Sequence, residues 1–256
     1  MPLQRIPKRT LSDEVFEQLS REIVRGRMAP GVALPAEREL CETLGVNRGA
    51  LREALRRLAQ AGLIAIAQGG STKVLDYRRT AGLDLLTHML FREGGAVDLE
   101  VARSVMEIRA ALAPDIARLC ARRADATVIA ELRGVLAEIE RAHGSDDLPA
   151  LQELSLRFWD VLVRGSDNIA YELAFNTLRA TYDTVRMALV QVMADELRDV
   201  ASYRAITEAV GRGDDVSAKH VASALLEHGT HRMFELIAAL RASGALDGEG
   251  QAGGAS

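Results

Sequence analysis

Apolar residues at helical spacing open the chain. They recur every four positions from Leu11 to Ile23, which is the stripe of an amphipathic helix over 11–24. A second helix is predicted to begin at Pro35, because proline suits the first turn, and to end at Gly45, because glycine suits a left-handed C-cap. A third helix is predicted over 48–61.

The pattern changes after the third helix. LIAIAQ is typical of a short strand, Gly69 and Gly70 of a hairpin tip, and STKVLDY of the returning strand. Only LGVN separates the second helix from the third, as in the tight turn of a helix-turn-helix. Residues 1–78 are therefore predicted to form a winged helix-turn-helix that binds DNA.

Helical periodicity alone continues from residue 79. Breaks at glycine and serine positions predict helices over 80–92, 98–122, 126–143, 147–164, 168–193, 195–212 and 215–241. We expect a mainly α protein, with an all-helical bundle over 79–243 that binds a ligand and dimerises. The Gly/Ala/Ser-rich tail 244–256 is predicted to be disordered.

Charge is distributed unevenly along the chain. The net charge is −4, yet residues 1–78 carry 13 Lys and Arg against 9 Asp and Glu, a formal charge of +4 that leaves −8 for the remainder. A basic head on an acidic body favours a phosphate-facing module joined to a different function.

Several classes of protein are excluded by what the sequence lacks. It has no long uncharged apolar run and no secretory signal, so we expect no membrane span and a cytoplasmic location. Cys41 and Cys120 lack metal-type spacing and suit small buried positions in a reducing compartment. Neither paired catalytic carboxylates nor a phosphate-binding loop is present, so an enzyme is not expected.

The third predicted helix presents arginines opposite its leucine face. Arg48, Arg52 and Arg56 follow each other at intervals of four, and Arg48 lies in the first turn, where a recognition helix enters the major groove. An arginine can bind guanine O6 and N7 together. The alternative is a solvated face paired with nearby glutamates. The candidate DNA-binding residues are Arg38, Asn47, Arg48, Gly49, Ala50, Arg52, Gln68, Gly69 and Lys73.

The stretch LPAERELCETLGVNRGALREALRRLAQAGLI resembles the signature of the GntR family of winged-helix regulators. The resemblance implies that Arg38, Arg48 and Arg52 read guanines in double-stranded DNA with a palindromic operator. It also implies that residues 47, 49 and 50 contact DNA and that the wing tip, Gln68 and Gly69, enters the minor groove. Ser or Thr is frequent near positions 47, 49 and 50 in the family, so the operator sequence is expected to differ.

Two later stretches, SVMEIRAALAPDIARLCARRAD and RFWDVLVRGSDNIAYELAFNTL, resemble the helical effector domain of the FadR subfamily. The segment GGSTKVLDYRRTAGLDLL is similar to that of its fatty-acid-responsive members. The resemblance implies a homodimer that responds to a small molecule, with an acyl-CoA as the leading expectation. A sugar acid, another carboxylate or an amino acid stays open as effector, as does an architectural DNA-binding protein without one.

Many subfamily members hold a divalent metal through an Asp-x3-His pair and two later histidines. Ser155, Trp159 and Tyr203 stand at three of these positions, so no metal cofactor is expected. His228 and His231 could meet one zinc ion at their spacing of three, although surface histidines are more frequent. Without a metal, side chains must hold the effector, and the candidates on the cavity helices are Arg109, Trp159, Tyr182, Arg186, Tyr203 and His228. The alternatives are core aromatics and a salt bridge of Arg109 with Glu107 or Asp115.

Overall fold

The computed structural model describes residues 10–67, 71–91 and 96–242. The chain divides into two compact units, Met1–Ala96 and Val97–Ser256. This division falls later than the boundary after residue 78 that the sequence suggested, because Leu85 and Met89 pack in the hydrophobic core of the first unit. The predicted disordered tail lies outside the described residues.

The first unit, called the head, is a winged helix-turn-helix. Its elements are α1 (Leu11–Val24), α2 (Glu37–Leu44), α3 (Arg48–Gln60), β1 (Ile64–Ala65), β2 (Lys73–Val74), α4 (Tyr77–Thr80), a 3-10 helix (Leu83–Leu85) and α5 (Leu86–Met89). The three predicted helices and the ribbon are confirmed. The second helix begins at Glu37 rather than at Pro35, because Ala36 is its N-cap residue.

Local capping explains where the head helices begin and end. Thr10 and Asp13 form a capping box at the start of α1, in which each side chain accepts a hydrogen bond from the other residue's backbone N–H. Gly45 has the left-handed φ of 66° that ends α2 and permits the tight turn into α3. The leucines of α3 are buried against α1 as predicted, namely Leu51, Leu55 and Leu58.

The wing contains one more extended segment than the sequence predicted. Strand β2 pairs antiparallel with β1, where Ile64 faces Val74. Its other edge bonds to the segment 31–34, because Gly31 donates to Val74 O at 2.8 Å and Val74 donates to Val32 O at 2.9 Å. From the sequence alone, Pro30 and Gly31 predict only a turn here. The predicted hairpin tip lies outside the described residues.

The second unit, called the body, is all-helical in its described part. Its helices are α6 (Leu99–Arg123), α7 (Ala126–Gly144), α8 (Leu148–Gly165), α9 (Ile169–Asp183), α10 (Arg186–Leu189), α11 (Ala194–Arg198), α12 (Val200–Arg212) and α13 (Asp215–Ala242). The long helices α6 and α13 pack along each other, while α8 packs on α6 and α7. No described helix has the length and apolar character needed to cross a membrane.

Three of the predicted helices are interrupted. The helix predicted over 168–193 ends at Asp183, where Thr184 Oγ1 donates to Thr181 O at 2.6 Å and Gln152 Nε2 donates to Arg186 O at 2.9 Å. These side-chain bonds compete with the helical ladder. The helix predicted over 195–212 is divided at Asp199, which caps α12. The helix predicted over 80–92 is replaced by the short helices α4 and α5 and the 3-10 turn between them.

Candidate nucleic-acid interface and ligand cavity

The N-terminal turn of α3 is exposed and tightly capped. Asn47 Oδ1 accepts a hydrogen bond from Ala50 N at 2.9 Å, so the turn is held in place before any partner binds. A Cβ atom at Gly49 would lie 3.2 Å from Asn47 Oδ1, which is a close contact. Arg48 is exposed at the first position of the helix. The backbone N–H groups of such a turn favour anionic groups such as phosphate.

The candidate arginines differ in their ionic partners. Arg52 Nε lies 3.0 Å from Glu37 Oε2, and Arg38 Nη1 lies 3.6 Å from Glu42 Oε1. Arg48 makes no ion pair with any residue in the described ranges. Exposed ion pairs contribute little to stability, so Arg38 and Arg52 can leave their glutamates at small cost. Arg48 needs no such exchange.

The wing adds a basic group to the same unit. Lys73 is exposed on β2 and pairs in register with Ala65 of β1. A lysine here suits contact with phosphate, which fixes position without reading sequence. Gln68 and Gly69, the predicted minor-groove residues, lie outside the described residues.

The body encloses a small, mainly apolar cavity of about 80 Å³. Helices α6, α8, α9 and α11 supply its wall, together with Met193. Three of the six candidate ligand-binding residues line it, namely Arg109, Trp159 and Tyr182. Most of the other lining residues are apolar, among them Met106, Leu112, Ile116, Leu178 and Leu197.

Hydrogen bonds hold the polar side chains of the cavity wall. Gln152 Nε2 donates to Tyr182 Oη at 2.6 Å. Tyr203 Oη donates to Ser155 Oγ at 2.8 Å behind the wall. Burial raises the pKa of Tyr182 and of Tyr203 above the ordinary value, so both phenols are neutral at physiological pH.

Arg109 forms an ion pair inside the body, but with a different partner from those considered from the sequence. Its Nη1 donates to Glu196 Oε2 at 3.1 Å, and its Nη2 bonds to Glu196 Oε1. Burial alone would lower the pKa of Arg109, but the charge and hydrogen bonds of Glu196 outweigh burial and raise that pKa. The arginine is therefore charged and already matched by a carboxylate.

The other three candidates do not line this cavity. Tyr203 is fully buried against Phe158, with 5.1 Å between the ring centroids. Arg186 turns to Glu153, whose Oε2 lies 2.6 Å from its Nη1. His228 is exposed on α13 beside a separate open groove. Sequence periodicity placed Tyr203 and His228 on helices, as observed, but it placed Arg186 on a continuation of α9 rather than on the separate helix α10. Periodicity also could not give the direction of each side chain.

Comparison with known proteins assigns both units to described families. Residues 11–74 match the model of bacterial regulatory proteins, gntR family. The chain is 41% identical over 228 residues to the HTH-type transcriptional regulator Mce2R of Mycobacterium tuberculosis, which covers 89% of this chain and 93% of that protein. The chain belongs to the gntR family. Residues 104–228 of this gntR-family chain match the FCD domain.

Two further relatives differ in what their names describe. The fatty acid metabolism regulator protein of Edwardsiella ictaluri is 32% identical over 66% of this chain and 68% of its own length. The galactonate operon transcriptional repressor of Escherichia coli is 26% identical over 88% of this chain and 97% of its own length. Lar of Listeria monocytogenes, a solved structure, shows the same fold at 17% identity, with a TM-score of 0.55 over 90% of this chain and 100% of that one. The matched families and relatives are transcriptional regulators rather than enzymes.

The side chains at the positions where the resemblance to the FadR subfamily implies metal ligands do not fit a divalent cation in this gntR-family protein. Ser155 and Tyr203 bond to each other, and the indole N–H of Trp159 has no lone pair to donate. His228 lies 4.0 Å from Asp199, whereas His231 lies 3.1 Å from Glu235. Across the described residues no three His, Cys, Asp or Glu side chains converge on a metal position.

Sequence reasoning missed Glu196, Gln152 and Arg179 in the cavity wall. Glu196 lies 87 positions from Arg109 in the chain, and its neighbours in sequence give no sign that it is fully buried. Its burial depends on the packing of α11 against α13 and α8, which no local pattern reveals.

Proposed function

We propose that this gntR-family regulator binds a palindromic operator as a homodimer, with Arg48 as the principal base-reading residue of each half-site. The exposed Arg48 guanidinium at the start of α3, free of ion pairs within the described part of the chain, carries this proposal. A dimer with two such helices reads two half-sites related by its own twofold axis.

The remaining head residues take supporting roles in this proposal. Arg38 and Arg52 read bases after leaving Glu42 and Glu37, and the Asn47–Ala50 turn approaches the groove closely. Lys73 contacts phosphate, and Gln68 with Gly69 enters the minor groove. An arginine that binds one guanine through two hydrogen bonds contributes about 1–3 kcal/mol of discrimination against other bases.

We further propose that the body binds an effector with an acyl chain, an acyl-CoA being the leading candidate. The apolar wall of the cavity supports a hydrocarbon ligand, and the fatty-acid regulator is among the relatives. The cavity volume of about 80 Å³ holds only part of such a molecule. Binding of a longer acyl chain therefore requires the wall to move, and the short helices α10 and α11 are where the long helices of the body are interrupted.

A sugar acid is the second candidate, because the galactonate repressor aligns over most of both chains. Its hydroxyl and carboxylate groups need several polar partners. The cavity instead offers arginines already paired with carboxylates, which favours the acyl ligand.

For either effector, regulation requires different affinities in two states of the dimer. We propose that ligand binding changes the spacing of the two heads through the segment 76–92. Only a ligand that prefers one spacing can shift operator binding.

The test uses fluorescence anisotropy with the full chain and DNA from upstream of its own gene. We expect salt-dependent binding that is stronger than to scrambled DNA, with a change on addition of a long-chain acyl-CoA. Thermal-shift measurements with the same acyl-CoA and with galactonate compare the two effector classes. Equal affinity for scrambled and upstream DNA would remove the regulator proposal, and stabilisation by galactonate alone would replace the acyl ligand.

A further inference from the structure

The two arginines in the cavity wall are both matched by carboxylates. Arg109 is paired with the fully buried Glu196, and Arg179 is paired with Asp160. A carboxylate entering the cavity would lose its hydration and find each described cation already neutralised. Burial of a charge without a partner is strongly unfavourable. The wall therefore selects against a free acid.

One polar group in this wall, the indole N–H of Trp159, has no hydrogen-bond partner among the described residues. Trp159 is 4% exposed and lines the cavity, while its Nε1–H is enclosed by neighbouring atoms and finds no acceptor among the described residues. The amide of Gln152 and the hydroxyl of Ser155 are both bonded to tyrosine hydroxyls. A buried donor without an acceptor is unfavourable, so a ligand that supplies an acceptor gains affinity here.

We propose that the cavity selects an apolar effector whose head is an uncharged hydrogen-bond acceptor, an ester, thioester, amide or ketone carbonyl. This acceptor bonds to Trp159 Nε1 when the lining side chains move aside to admit it. The inference rests on the proposed function, because it names the ligand class of the same effector cavity. An acyl thioester fits this description, whereas a free fatty acid and a sugar acid do not.

The size of the cavity agrees with a small head group. Its volume of about 80 Å³ is roughly half that of an engineered protein cavity that binds benzene. A carbonyl group and its first few carbons fit within this space beside Trp159. The rest of the ligand's acyl chain can enter only where it displaces lining side chains.

The indole of Trp159 provides a direct probe, because it is the one tryptophan in the sequence. In a ¹⁵N-labelled full-length protein it gives a single indole resonance. We would titrate methyl octanoate, octanoyl-CoA, 2-decanone and octanoate. The three carbonyl compounds are expected to shift the indole proton downfield and to bind about tenfold more tightly than octanoate.

Three variants separate the hydrogen bond from general packing. Trp159→Phe keeps an aromatic ring and removes the donor, so affinity for methyl octanoate should fall about tenfold. Tyr171→Phe, a matched change at a tyrosine bonded to Asp115 outside the cavity wall, should leave that affinity unchanged. Glu196→Gln leaves Arg109 without its anionic partner, so octanoate should gain affinity relative to the ester.

Either of two ligand-binding results would overturn the inference. One is octanoate binding as tightly as methyl octanoate to the unaltered protein. The other is an indole resonance that none of the three carbonyl compounds moves, which needs no variant and so does not depend on how Trp159→Phe folds. Operator binding is measured separately by anisotropy. Operator DNA released by octanoate as readily as by octanoyl-CoA would sink this inference while leaving the regulator proposal intact.

Discussion

The guanidinium group of Arg109 on α6 bonds to the fully buried carboxylate of Glu196 on α11. The pair joins two helices that are distant in sequence and lies in the wall of the proposed effector cavity. It stabilises the wall. At the same time, Glu196 neutralises the positive charge of Arg109 that a carboxylate ligand would require.

Removal of one member of this pair should destabilise the body more than removal of both. Glu196→Leu leaves the half-buried Arg109 uncompensated and is expected to lower the free energy of unfolding by about 3 kcal/mol. The double variant Arg109→Met/Glu196→Leu replaces the pair with apolar volume and should recover most of that loss. Urea denaturation followed by circular dichroism measures both. A double variant less stable than Glu196→Leu would contradict this account.

Gly229 on α13 permits the close approach of Glu196. A Cβ atom at Gly229 would lie 2.5 Å from Glu196 Oε2, so Gly229→Ala should destabilise the protein. A Cβ atom at Gly134, on α7, would meet no described atom within 4 Å beyond its own stretch of helix. Gly134→Ala is the matched control and should stabilise by about 0.5–1 kcal/mol, because alanine is the better helix former. Thermal melts of the two variants should move in opposite directions.

Arg48→Ala should weaken operator binding by about 1–3 kcal/mol per half-site, because it removes the proposed guanine contact. Its fold should persist, since the Arg48 side chain is exposed. Arg56→Ala on the same helix, at a residue 3.6 Å from Glu53, is the control and should have a much smaller effect. Anisotropy with operator and scrambled DNA distinguishes the two. Unchanged operator affinity in Arg48→Ala would remove this reading of α3.

Lys73→Ala should weaken binding to all DNA sequences similarly, because a phosphate contact carries no sequence information. Each lost phosphate contact lowers the steepness of log K against log salt by about 0.9. The measurement is a salt titration of the unaltered protein and the variant on operator and scrambled DNA. A loss confined to the operator would instead assign Lys73 to base recognition.

Asp13 should make the stability of the head dependent on acid pH. Hydrogen bonds from Thr10, followed by the bond from Arg57, lower the pKa of Asp13 from 3.8 to about 2. Because the folded-state pKa lies below the unfolded one, the stabilisation is complete above pH 3.8 and is lost as pH falls towards 2. Asp13→Asn should therefore unfold at a lower urea concentration than the unaltered protein at pH 7. The difference between the two urea midpoints should shrink as the pH falls from 3.8 towards 2.

The control for Asp13 is Glu14→Gln in the same helical turn, where no side-chain bond to a described residue is present. Its urea midpoint should differ much less from that of the unaltered protein. A margin for Asp13→Asn that stays constant from pH 7 down to pH 2 would contradict the assigned pKa.

The head could be predicted closely from its sequence because its signals are local. Asn47 caps α3 and Gly45 ends α2 through contacts within a few residues, so sequence pattern and structure agree. The extra edge of the wing was missed, since the bond between Gly31 and Val74 spans more than 40 positions. The body was predicted as helical, but the breaks near Thr184 and Asp199 depend on side-chain bonds that periodicity does not show.

Composition, helical spacing and capping residues by themselves determined a basic winged head, an all-helical body and an arginine at the start of the recognition helix. Only the tertiary structure decided that Arg109 is paired with Glu196 and that the indole N–H of Trp159 has no acceptor among the described residues. The reason is physical, because helix formation depends on neighbours a few positions apart. The charge balance of a cavity depends on side chains that long-range packing brings together.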